Sequence, residues 1–159
     1  TTPTASTADT GAMRLWNLTY NDPRRWAEVH AISGKPLGFW ASVKTGGTGS
    51  PRAELVGGSG ELNDLIGVAT SRTGCNFERT TEGAILYFRS RLEVFGAPLK
   101  KGEVSGVTRI PEVAGERLTI WCGWTDADGT TVSGSVDMRL SHANADRMEA
   151  YVRRWLVEG

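Results

Sequence analysis

Residues 131–140, TVSGSVDMRL, set Val132, Gly134, Val136, Met138 and Leu140 on alternate positions against Thr131, Ser133, Ser135, Asp137 and Arg139. A repeat of two is that of a strand, whose successive side chains leave opposite faces, so the stretch reads as a half-buried antiparallel strand. The alternation recurs upstream in Leu118, Ile120, Cys122 and Trp124, and again in Leu86, Phe88, Ser90, Leu92 and Val94 against Tyr87, Arg89, Arg91 and Glu93. Turn signals divide these runs: Gly96-Ala97-Pro98 with Gly102, Ala114-Gly115, and Asp126-Ala127-Asp128-Gly129, whose Asp-Gly step tolerates positive φ. The expectation is a meander of about four antiparallel strands.

Beyond Ser141 the period changes. Met148, Tyr151, Val152, Trp155 and Leu156 mark one face of a terminal amphipathic helix that must dock on something. Toward the N-terminus, Leu62, Leu65, Ile66 and Ala69 recur at helical spacing and predict an apolar helix ending near Gly74, preceded by a short strand over 52–56 and by Gly57-Gly58. Asn21-Asp22-Pro23 offers a cap and an early proline for a helix to about Ile32, which Gly34 and Pro36 stop. Met13 to Tyr20 reads as a short strand or packing segment, Leu37 to Val43 as a strand, and TGGTGSP at 45–51 as a loop. Residues 1–11 have no hydrophobic periodicity and are expected to be a flexible tail.

With 159 residues, the chain suits one domain over 12–159. The 39% hydrophobic and 23% charged residues fit a soluble globular protein. Eighteen basic residues balance eighteen acidic ones, so no global field favours nucleic acid or an anionic membrane, and neither is an expected partner. No apolar run approaches the roughly 20 residues that span a bilayer, and the start lacks the segments of a signal peptide. Cys75 and Cys122 sit in apolar surroundings and read as buried free thiols, which points to a cytoplasmic setting.

An apolar helix followed by an antiparallel meander is the layout of a hot-dog fold, an α+β architecture in which a sheet wraps a central helix. Residues 55–74, LVGGSGELNDLIGVATSRTG, resemble the segment of the PaaI-like thioesterases in which two glycines open that helix and an acid follows six positions after the second. Gly57, Gly58 and Asp64 occupy those places; Pro98 and Gly102 match the family's P-x-x-x-G turn, and Asp128-Gly129 its last hairpin. Val56 stands where the family usually has histidine, and Asn63 is similar to the asparagine of long-chain acyl-CoA thioesterases of the same fold.

The resemblance implies hydrolysis of acyl thioesters carried by coenzyme A or an acyl carrier protein, in a homo-oligomer, without cofactor or metal. Gly57 and Gly58 would let the thioester carbonyl approach a helix N-terminus, whose unpaired N–H groups stabilise an oxyanion. Asp64 would be the base or nucleophile and Asn63 would orient water or thioester. Ser71 would line the pocket, and Arg72, with Arg79, Arg89 and Arg91, is a candidate for the phosphates of coenzyme A. Each has a plainer reading as a turn, a helix end or a solvated face.

Two alternatives remain open at this stage. Ala69, where hot-dog hydratases carry histidine, argues against hydration or dehydration of an enoyl thioester. Ser71-Arg72-Thr73-Gly74 gives the Ser-x-x-Gly half of a PilZ-like motif, so a non-catalytic nucleotide- or small-ligand-binding module is the runner-up. His30 and His142 are too far apart in sequence to suggest a metal cluster with either cysteine. The six tryptophans are most simply packing residues.

Overall fold

Two three-stranded meanders flank one short strand. In the computed structural model, residues 14–38, 40, 47, 49–59, 62–63, 65, 72–90, 92–125 and 128–157 are described. The elements are β1 (Trp16–Asn17), α1 (Pro23–Ser33), β2 (Ala53–Gly58), β3 (Gly74–Arg79), β4 (Gly83–Ser90), β5 (Glu93–Lys100), β6 (Val104–Glu112), β7 (Gly115–Thr125), β8 (Thr131–Leu140) and α2 (His142–Trp155). All strands belong to one antiparallel sheet of order β1-β5-β4-β3-β2-β8-β7-β6.

That order, with its connections, requires curvature. From β5 to β6 is six steps across the sheet, about 29 Å if it lay flat at about 4.8 Å per strand. Only residues 101–103 join them, a reach of at most about 15 Å from Lys100 to Val104. The sheet therefore curls until β5 and β6 approach without pairing, and it stays open. Val157 forms a parallel bridge to Val104, and Gly102 donates its N–H to the Leu156 carbonyl at 2.7 Å, so Leu156 and Val157 sit at this gap.

The curl encloses α2. Ala145, Met148, Val152 and Leu156 are fully buried among side chains from both meanders, including Phe77, Leu86, Ile120 and Met138. Phe77 stacks on Tyr151 with centroids 6.0 Å apart, and the Arg79 guanidinium lies 3.4 Å from the Trp155 ring centroid. The Ser141 hydroxyl caps α2 by accepting from the Asn144 N–H at 3.3 Å. Arg109 of β6 fastens the same end, donating to Glu116 of β7 and to Asp146 and Glu149 of α2 at 2.7 and 3.0 Å. On the opposite face of the first meander, β1 and α1 cover Ile85 and Tyr87 with Leu18 and Val29. Asp22 caps α1, accepting from the Arg24 N–H at 2.9 Å, and Pro23 occupies its first turn.

The expected α+β class with a large antiparallel sheet is present, and among the described residues the helix that fills its curl is the terminal one. Residues 62, 63 and 65 are helical and Leu62 is buried in the same core; 64 and 66–71 lie outside the described residues. Five strands, β4 to β8, stand where about four were expected, and β3 precedes them as a strand that was not expected. The run from Leu86 to Val94 is two strands, because the chain reverses between Ser90 and Glu93, which pair. This register pairs even positions with odd ones, so Leu86 and Phe88 face α2 while Val94, opposite Arg89, faces the other way. Gly96-Ala97-Pro98 is strand, not turn. A Cβ on Gly96 would lie 2.6 Å from Leu18, so this glycine admits the N-terminal segment, and Pro98 sits beyond the short β1 pairing, where its missing N–H costs nothing. The 13–20 segment contributes β1; of 37–43, Leu37 and Gly38 are not strand and Trp40 is helical, the rest lying outside the described residues.

Candidate functional site

β2 joins the two meanders unequally. With β8 it pairs from Glu54 to Gly58, with a bulge at Val56; with β3 it pairs only at Ala53↔Cys75 and Glu54↔Gly74. Gly57 and Gly58 are thus the last two residues of β2, in register with Asp137 and Val136. Gly58 has φ +139°, and a Cβ there would lie 2.6 Å from the Ser135 carbonyl, so the backbone at this point requires glycine. The exposed Asn63 donates its amide to the Gly58 carbonyl at 2.8 Å, closing the turn after the strand. Asp64 and Ser71, with Glu61, lie outside the described residues.

Arg72 lies elsewhere, at the short seam between β2 and β3. A cavity of about 480 Å³ opens there, bounded by the start of β2, the approach to β3, the end of β8 and the N-terminus of α2. Arg52, Arg72 and Arg139 supply its positive charge and Glu54 its negative charge. The Glu54↔Arg139 pairing places those two side by side, and the Glu54↔Gly74 pairing brings Arg72 within reach. Glu54 lies 3.8 Å from the nearest guanidinium nitrogen of both Arg72 and Arg139, while Glu112 holds Arg139 more closely at 3.1 Å. Arg52 has no ion-pair partner among the described residues.

The wall between these charges contains an unsatisfied donor. Thr73 is only 3% exposed, and its hydroxyl has no hydrogen-bond partner, although its carbonyl accepts from the Leu55 N–H at 2.8 Å. Buried hydroxyls are normally paired, and leaving one unpaired costs about 1–3 kcal/mol. Ser141 and Asn144 complete the lining, so the positive end of the helix dipole faces the same space.

The remaining candidates have structural roles. Arg79 covers Trp155, Arg89 donates to the Asn76 side chain at 2.5 Å, and Arg91 lies outside the described residues. Cys75 and Cys122 are free and buried, and burial pushes each thiol up to about 12, which removes thiolate chemistry at neutral pH. Hydrogen bonds from Arg109 and then His142 hold the Glu116 carboxyl down at about 2. Among the described residues, no cluster of His, Cys, Asp and Glu could hold a metal ion, and no helix is long and apolar enough to cross a membrane.

Sequence reasoning found Arg72, gave the adjacent Thr73 no part in the site, and missed Arg52 and Arg139 as its neighbours. The three arginines come from three separate stretches that only the β2 pairings bring together. The one local signal was Arg139-Leu140-Ser141, an arginine at a strand end followed by a helix cap. Comparison of the chain with protein families, curated proteins and solved structures finds no match.

Proposed function

We propose that this domain binds a small ligand through an anionic group, phosphate or carboxylate, in the cavity at the N-terminus of α2. The observation that carries the reading is the buried, unpartnered Thr73 hydroxyl in a cavity also lined by Arg52, which has no ion-pair partner among the described residues. Guanidinium groups match carboxylate and phosphate oxygens in bidentate geometry, and a helix N-terminus adds N–H donors and positive potential. The 3.8 Å separations of Glu54 from Arg72 and Arg139 are longer than a charge-assisted hydrogen bond of about 2.7–2.9 Å, so Glu54 does not tie up the donors of Arg72, while Arg139 keeps its Nε on Glu112 and has its terminal nitrogens left for a ligand. Calorimetric titration with inorganic phosphate, an organic phosphomonoester and acetate, at matched ionic strength, tests this. Binding that weakens about tenfold in Arg52→Gln supports it, since a hydrogen bond to a charged group contributes about 1.5–3 kcal/mol. Absence of binding by all three anions refutes it.

Hydrolysis of acyl thioesters by a hot-dog domain is the second reading, favoured by one observation: Arg72, the candidate for the phosphates of coenzyme A, lines this cavity. In that reading Asp64 activates water, Asn63 orients it, Gly57 and Gly58 border the reacting carbonyl, and the protein works as a homo-oligomer. An acyl-CoA panel separates the readings. Turnover abolished by Asp64→Asn favours hydrolysis; phosphate binding without turnover of any acyl-CoA leaves a binding module.

A further inference from the structure

A second cavity, sharing no residue with the first, runs along α1. It encloses about 780 Å³ between one flank of the helix and the β3–β4 turn. Val29 and Ser33 turn the buried flank of α1 to the protein interior. Pro23, Trp26, Ala27, His30 and Ala31, spaced at three, four, seven and eight from the first, form a separate stripe that faces the cavity. The Trp26 and His30 rings lie 5.4 Å apart, tilted by 38°, and give this wall an aromatic surface.

The far end is polar and fixed by backbone bonds. Thr81 donates its N–H to the Lys35 carbonyl at 2.9 Å, and Glu82 to the Ser33 carbonyl at 3.1 Å. The Thr80 hydroxyl donates to the same Ser33 carbonyl at 2.5 Å. Gly34 has φ +82°, and any Cβ on it would collide with the Thr81 hydroxyl, so the floor admits only glycine there. These bonds hold Lys35 and Glu82 at the same end of the cavity. Both are exposed, yet neither pairs with the other or with any other described charge.

The geometry points to a binding site for a free aromatic α-amino acid in its zwitterionic form. Its ring packs on the Trp26 and His30 wall, its carboxylate meets Lys35 and its ammonium meets Glu82. The opposite charges stand on two segments that the Thr81–Lys35 and Glu82–Ser33 backbone bonds hold side by side, so they can meet the two adjacent charged groups of an amino acid, and the aromatic wall begins one helical turn away. The volume is in the range of small-molecule sites, about 300–1,000 Å³. Aromatic stacking and two charge-assisted contacts supply both affinity and selectivity. The site does not depend on the anion cavity.

Calorimetric titration of the full chain with L-tryptophan, L-phenylalanine, L-alanine and N-acetyl-L-tryptophanamide tests the inference. Both aromatic amino acids bind, while alanine, which lacks the ring, and the acetylated amide, which lacks both charges, bind at least about tenfold more weakly. Lys35→Ala and Glu82→Gln each weaken tryptophan binding by about tenfold with unchanged melting temperature, since both side chains are exposed. Equal affinity for the acetylated amide, wild-type affinity in both charge variants, or no binding of either aromatic amino acid overturns it.

Discussion

The two meanders solve the same problem differently. β4 of the first carries six consecutive buried residues, Gly83 to Phe88, because α2 covers one face of it and α1 the other. β8 of the second alternates along its length: Val132, Gly134, Val136, Met138 and Leu140 are buried, and the positions between them are exposed or half-buried. Burial on both faces erases the period of two, and burial on one preserves it. The teaching is positional: alternation reports how many layers cover a strand as much as it reports the strand itself.

The most direct way to break this comparison uses two outward positions. Ile85 on β4 is fully buried beneath α1, and Ile85→Ala is expected to cost about 2–5 kcal/mol in denaturant unfolding. Ser133 on β8 faces outward in the uncovered half, and Ser133→Ala should stay within about 0.5 kcal/mol. Comparable losses at both would mean that the second meander is also covered on its outer face.

Gly58 sharpens the account of the strand between the halves. Gly58→Ala places a side chain at φ +139° and against the Ser135 carbonyl, a strain of about 1–3 kcal/mol that should lower the melting temperature. Ser141→Ala removes the cap of α2 and should cost about 1 kcal/mol in the same assay.

A finer test lies where the second meander meets α2, with Arg109 of β6 and His142 of α2 paired to Glu116. The depressed Glu116 carboxyl contributes stability that is fully present above about pH 4.5 and is lost as pH falls through about 2. Unfolding measured across that interval should show a shallower acid limb in Glu116→Gln than in the wild type. An unchanged limb would show that the pairing does not stabilise the fold.

Legibility followed the same division. The second meander was readable as strands because one-sided burial leaves Val132 to Leu140 and Leu118 to Trp124 alternating, and the Asp128-Gly129 turn has its glycine at φ +87°. The terminal helix was readable from Met148 and Val152, and α1 from its cap and proline. The first meander misled, since the reversal between Ser90 and Glu93 shifts the inward positions by one and leaves a false continuous alternation. Which helix fills the curl was not legible either, because both 62–69 and 148–156 carry an apolar face. The anion cavity was read at Arg72 alone, because its other charges arrive through strand pairing between residues far apart in sequence.

The seam between the meanders is where the account is most exposed. There the β2–β3 ladder stops after two residue pairs, and the cavity at its end is lined by three arginines, the N-terminus of α2 and Thr73, whose buried hydroxyl is unpartnered. Amide chemical shifts followed by NMR during titration with inorganic phosphate, against chloride at the same ionic strength, test it most directly. Saturable shifts concentrated at Arg52, Thr73 and Ser141 to Asn144, lost in Arg52→Gln, are expected if phosphate binds in this cavity. Shifts confined to other parts of the chain, or none beyond those caused by chloride, would contradict it.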